Sequence, residues 1–195
     1  MKQFYSIHDG EFLVGLCINE AIKECDLWIP VKDRGVDILL TNKDNYNKNV
    51  SLQVKSSTDH LPTHSPEEIK FYHSCGFWNF GQADIEKSIK DPKNNKKPAD
   101  FWVIAIYSFF GKKTDCIVIK PTDLYKRFSK FKKAEKTYFW ITNDGKCFET
   151  RGLNKSQQKL LMEKKYNSID PARNFTDYLN NWEPVKKELG LSNRK

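Results

Sequence analysis

The sequence predicts a layered α/β domain whose central sheet is covered by helices on both faces. Three observations carry that expectation. The chain opens on a segment of helical period and closes on others, and the runs between them have the composition of strands. Its 195 residues suffice for one domain with a substantial core and are too few for two comfortable ones.

Each element follows from local chemistry. "GEFLVGLCINEAIKE" (10–24) sets Leu13, Leu16, Cys17, Ala21 and Ile22 near one helical face, with Asp9 as its N-cap. "LWIPV" is a weak strand that Pro30 confines to an edge. "VDILL" and "VSLQV" are strands joined by "TNKDNYNKN", whose Asn and Asp residues suit a hairpin turn. After the loop "DHLPTH", Ser65, Pro66 and Glu68 form a capping box, which predicts a short helix through Tyr72. "QADIEKSIK" adds helix before the polar loop "DPKNNKKPAD". "FWVIAIYS" and "DCIVIK" are strands, "PTDLYKRF" starts a helix, and "KTYFWITNDGKCFET" is a hairpin with Asn143, Asp144 and Gly145 at its tip. Helices over "SQQKLLMEKKY" and, past Pro171, "NFTDYLNNWEPVKKELG" close the chain.

Composition narrows the setting. The net charge of +8 gives a positive average potential and favours polyanionic partners. The five cysteines are odd in number, scattered and free of CxxC spacing. With no signal-like apolar segment at the start, they fit a reducing, cytoplasmic compartment. The most apolar stretch, residues 101–110, is far below the ~20 residues of a membrane span, so no membrane partner is expected.

The chemistry concentrates where polar residues interrupt strands. Alternation puts Ser51, Gln53 and Lys55 on one face and Leu52 and Val54 on the other, while Asp37 and Leu39 oppose Val36, Ile38 and Leu40. A register placing Asp37 across from Gln53 or Lys55 gathers a carboxylate, an amide and an ammonium, and a slip of one residue scatters them. Such a set suits Mg²⁺, with Mn²⁺ as a substitute: Asp37 is the main ligand and the Gln53 carbonyl a weaker one. Lys55 beside a metal-bound water stabilises charge on an attacked phosphate or positions the water. The chemistry indicated is phosphodiester hydrolysis.

The stretch Gly35-Val36-Asp37 followed by Gln53-Val54-Lys55 resembles the PD-(D/E)XK nuclease superfamily, in its restriction-endonuclease-like and Mrr-like QxK branches. Val36 stands where the name has proline, and Gln53 where most members have Asp or Glu. The resemblance covers about residues 10–107. It implies a restriction-endonuclease-like αβββαβ core at about residues 8–120, a central mixed sheet, and a C-terminal hairpin and helical elaboration over 121–195 within a single domain. It also implies that Glu11 of the first helix completes the metal site, Glu20 being the fallback. The implied activity is that of a Mg²⁺-dependent DNA endonuclease, a restriction or other defence nuclease, acting on double-stranded DNA; a homodimer would let two such sites cut both strands. Two alternatives stand beside it: a catalytically weak or inactive nucleic-acid-binding module of the same fold, suggested by Gln53, and a resolvase-like repair or recombination nuclease.

Two basic runs are candidates for phosphate contact: Lys87, Lys90, Lys93, Lys96 and Lys97, and the preferred set Lys126, Arg127, Lys130, Lys132, Lys133 and Lys136. The clusters "FWNF", "FW" and "YFW" supply aromatics for base stacking or, more commonly, for the core. His60, His64, His73 and Cys75 have no familiar zinc spacing and read as loop residues near the cleft.

Overall fold

The computed structural model describes residues 9–30, 35–61, 64–90, 98–108, 111–131 and 135–191. Its element order is α1 (Asp9–Ala21), β1 (Cys25–Trp28), β2 (Ile38–Asn42), β3 (Asn45–Thr58), α2 (Pro66–Ile69), β4 (Tyr72–Trp78), α3 (Gln82–Lys90), β5 (Phe101–Ser108), β6 (Lys113–Ile119), α4 (Pro121–Phe128), β7 (Thr137–Thr142), β8 (Cys147–Glu149), α5 (Lys155–Met162) and α6 (Glu183–Glu188). The fold is mixed α/β. Its main sheet has five strands in the order β1-β2-β3-β5-β6, antiparallel throughout except for the parallel pair β3 and β5.

Both faces of this sheet are buried, which is why β5 is apolar at nearly every position. Val14 and Ile18 of α1 and Val185 of α6 pack on Ile38, Leu40, Leu52, Val54 and Val103. Trp102, Ile104, Ile106, Ile117 and Ile119 meet Ile85 of α3, Leu124 and Phe128 of α4, and Trp78, Phe139 and Ile141 of a second sheet. That sheet has three antiparallel strands in the order β4-β7-β8.

Several expectations are corrected. Asp9 lies within the first turn of α1 instead of capping it. The turn between β2 and β3 is only Lys43-Asp44, and β3 runs for 14 residues, because Asn42 Oδ1 accepts the Asp44 N–H at 2.8 Å and closes a tight turn. The capping box at Ser65 forms as expected, yet its helix stops at Ile69 and β4 follows. β4 escapes a reading by alternation because both its faces are largely buried. Gly76 is required there: a Cβ would stand 2.3 Å from the Trp78 ring. The final helix also begins later than expected. Asn180, at φ 52°, donates its N–H to the Cys116 carbonyl and accepts the Cys116 N–H, so residues 179–180 cover the outer edge of β6, while residues 174–176 bond to β8. Edge hydrogen bonding outweighs helical propensity until Glu183.

Candidate functional site

The register of β2 on β3 ends with Ile38 paired to Leu52, and Asp37 stands just beyond it. The ladder becomes irregular there, since the Asp37 N–H donates at 2.9 Å to the carbonyl of Leu52, the residue already paired with Ile38. β2 diverges at this point, and Asp37 Oδ2 accepts the Val54 N–H at 2.7 Å. The carboxylate therefore takes over a β3 donor that the ending strand no longer reaches. A carboxylate has about four acceptor positions, so this bond is compatible with a cation ligand.

Gln53 and Lys55 point away from α1. The parallel ladder sets Gln53 beside Trp102 and Lys55 beside Ile104, on the sheet face turned toward α3 and β4. Both side chains line a cleft of about 290 Å³ whose other walls are Trp78, Asn79, Phe80, Asp84, Ser88 and Trp102. Lys55 Nζ lies 5.6 Å from the Trp102 ring centroid. Trp78 Nε1 donates to the Lys55 carbonyl at 3.1 Å, which holds this part of β3 against β4. The structure thus brings Gln53 and Lys55 onto one face at the cleft, while Asp37, just beyond the end of β2, binds the Val54 N–H outside the cleft lining.

Glu11 arrives from the other side. Gly10 lies so close to Ser56 that a Cβ would stand 2.2 Å from its Oγ, which places the start of α1 on the stretch of β3 that β2 does not pair. Glu11 is half-buried there, on the sheet face opposite Gln53 and Lys55. Glu20 is exposed about 15 Å farther along the helix and is no substitute.

The basic runs divide. Lys126 and Lys130 are exposed at the end of α4, and Lys87 and Lys90 on α3, which packs against α4 and lines the cleft through Asp84 and Ser88. Together they form a basic shoulder on α3 and α4, in which Lys90 pairs with Glu86 and Lys126 with Asp123, and Lys130 borders a separate cavity with Glu149 and Arg173. Arg127 departs from expectation. Its Nη1 donates to the carbonyls of Pro171, Ala172 and Asn174 at 3.1, 3.0 and 2.8 Å, and the guanidinium stacks on Phe175 and Tyr178. It anchors the C-terminal segment instead of facing phosphate. Lys93, Lys96, Lys97, Lys132 and Lys133 lie outside the described residues.

No family model, curated protein or solved structure matches the chain.

The four residues once grouped as loop polarity separate as well. His73 and Cys75 belong to β4. His73 Nε2 stands 3.1 Å from Asp115 Oδ2, a carboxylate buried beneath it, whereas His60, His64 and Cys75 border a different cavity. Among the described residues, no three His, Cys, Asp or Glu side chains gather as a metal-holding group. All five cysteines are free thiols. No described helix is long and apolar enough to cross a membrane.

Sequence reasoning missed Trp102, Asn79 and Asp84 as cleft residues. Trp102 matters most: the residue lines the cleft, and its buried Nε1–H has no hydrogen-bond partner among the described residues. An orphaned donor of this kind suits an anionic oxygen. The only sequence signal was an aromatic placed one register step from the glutamine, which cannot be recognised before β3 and β5 are paired.

Proposed function

We propose that the chain is a Mg²⁺-dependent DNA endonuclease of the PD-(D/E)XK type, with Mn²⁺ as an alternative metal. One observation carries the reading: where β2 leaves β3, Asp37 binds the N–H of Val54, the residue between Gln53 and Lys55, whose side chains share the mouth of a cleft. The order α1-β1-β2-β3-α3-β5, with β5 parallel to β3, supports a restriction-endonuclease-like core into which β4 is inserted.

In this reading Asp37 and the Gln53 carbonyl hold the cation, and Glu11, on the opposite sheet face, would have to reach round the edge of β3 that β2 leaves unpaired to complete the set. The cation, when bound, acidifies its water and offsets charge on the scissile phosphate. Lys55 steadies or deprotonates the attacking water and neutralises the charge that develops on the phosphate. The Trp102 N–H offers a neutral donor to a phosphate oxygen at the cleft. The basic shoulder of Lys87, Lys90, Lys126 and Lys130 takes the flanking backbone of a duplex. A restriction or other defence role fits such a small enzyme, and pairing of two chains would bring one cleft to each strand.

A second reading, that of a nucleic-acid-binding module with little or no cleavage, is favoured by Gln53 alone, whose neutral amide lowers the charge of the ligand set. Incubating plasmid and branched-junction DNA with and without Mg²⁺ separates the two. Metal-dependent cleavage that disappears in Lys55→Ala is expected. Intact DNA from the native chain under every metal and substrate would reject the enzyme and leave the binding module.

A further inference from the structure

The second sheet has an outer face that the cleft does not use. Cys75 and Phe77 of β4 stand directly across from Trp140 and Tyr138 of β7. One end of this face is roofed, as Leu61, Ile69 and Tyr72 close over Cys75 and Trp140, while Leu153 and Leu161 cover Phe148. At the open end Phe77 and Tyr138 remain half-buried, with ring centroids 4.9 Å apart. Their chain neighbours Trp78 and Phe139 already fill the core, so stability does not require rings at these two outer positions.

His60 meets Phe77 edge-on at 6.0 Å and His64 meets Trp140 at 4.9 Å, and these rings bound a cavity of about 300 Å³ floored by Cys75. Cations flank it: Lys136 Nζ lies 5.5 Å over Phe77 and the Arg151 guanidinium 5.3 Å over Tyr138. The nearby acids are engaged in the loop, since Asp59 Oδ1 accepts the Leu61 and Cys75 N–H groups and Glu68 Oε2 accepts from Ser65. Burial pushes the Cys75 thiol far above its ordinary range, so the cavity floor is not nucleophilic.

We infer that this face binds single-stranded nucleic acid, with unpaired bases stacked on Phe77 and Tyr138 and adjacent phosphates held by Lys136 and Arg151. Half-buried rings with cations lying over them combine the stacking surface and the phosphate contacts that bind unpaired strands irrespective of sequence. The cavity is at the small end of ligand pockets, which run from about 300 Å³, and so seats one base instead of a large cofactor. Location supports the choice as well. The Phe77 N–H donates to Ser57 Oγ, two residues beyond Lys55, and the adjacent Trp78 lines the cleft, so the cleft and this face flank the same segment of β4. The inference rests on the nucleic-acid reading above for its choice of polymer, but requires no cleavage.

The test is metal-free. Fluorescent oligonucleotides of about 12 nucleotides, some carrying 2-aminopurine, are titrated in EDTA against the native chain, Lys55→Ala, and the double variant Phe77→Leu, Tyr138→Leu. Native and Lys55→Ala proteins are both expected to bind single strands and to quench 2-aminopurine, since both keep the Phe77 and Tyr138 rings. The double variant should bind them at least about 10-fold more weakly, since stacking contributes about 1–3 kcal/mol per base, with duplex affinity unchanged. Arg151→Gln, which keeps the rings, should weaken binding and lower the salt slope by about 1. Undiminished single-strand affinity in both altered proteins, or a native protein that binds only duplex or anionic vesicles, would overturn the inference. Loss of cleavage alone, with this binding intact, would remove only the nuclease reading.

Discussion

Asp37 has two roles that substitution can separate, one in the fold and one in the proposed chemistry. Its Oδ2 accepts the Val54 N–H at 2.7 Å at the point where β2 ends. Asp37→Asn keeps an amide oxygen at that position, so only the charge-assisted part of the bond is lost, about 1 kcal/mol or less. Asp37→Ala removes the acceptor and leaves a largely buried N–H unsatisfied, at a cost of about 1–3 kcal/mol. For a chain of this size, each kcal/mol corresponds to a change of about 2–4 °C in Tm. Calorimetry should therefore place Asn within about 4 °C of the native protein and Ala below it. Both variants should lose divalent-ion binding by isothermal titration and lose DNA cleavage. Cleavage retained by Asp37→Asn, or equal melting of the two variants, would refute the dual role.

Three further outcomes are expected. Gly10→Ala forces a Cβ to 2.2 Å from Ser56 Oγ and should destabilise by about 1–3 kcal/mol, with Ser56→Gly restoring much of the loss in a urea-melt double-mutant cycle. Arg127→Ala should cost on the order of 3 kcal/mol in unfolding while leaving DNA retention unchanged, whereas Lys126→Glu with Lys130→Glu should weaken retention and flatten its salt dependence. Burial pushes the Glu149 carboxyl from 4.5 up to about 7, against the pull of Arg173 and the Arg151 amide. The folded chain then holds this proton more tightly than the unfolded one. Its contribution is fully present below 4.5 and is lost as pH rises to about 7. The slope is at most about 1.4 kcal/mol per pH unit, and Glu149→Gln should remove it from a stability-versus-pH series.

The sequence disclosed what depends on near neighbours along the chain. Parity within β3 gave the shared face of Gln53 and Lys55, and the Ser65 box gave the start of α2. The position of Asp37 needed the register, which in turn needed a two-residue turn hidden in a run of nine polar residues. Nothing local marks Trp102 as a cleft residue or Arg127 as an anchor, because both roles arise from partners distant in sequence. β4 was illegible for a related reason: a strand buried on both faces, with a glycine under a tryptophan ring, lacks the polar alternation by which strands are recognised.

The insertion of β4 between β3 and β5 also governs how the chain must fold. β4 leaves the chain at residues 72–78, yet its ladder partner β7 lies at 137–142, after the five-stranded sheet is complete. Pairing across that interval closes a loop of roughly 60 residues, an entropic cost that rises only slowly with length but delays the contact. Until β7 arrives, β4 presents an unsatisfied edge and the Trp78 wall of the cleft has no backing from Phe139. A chain cut after β6 would therefore be an aggregation-prone fragment and not a minimal catalytic unit. Assembly of the cleft wall is therefore late: Trp78 gains its backing only once β7, at Thr137–Thr142, has emerged from the ribosome.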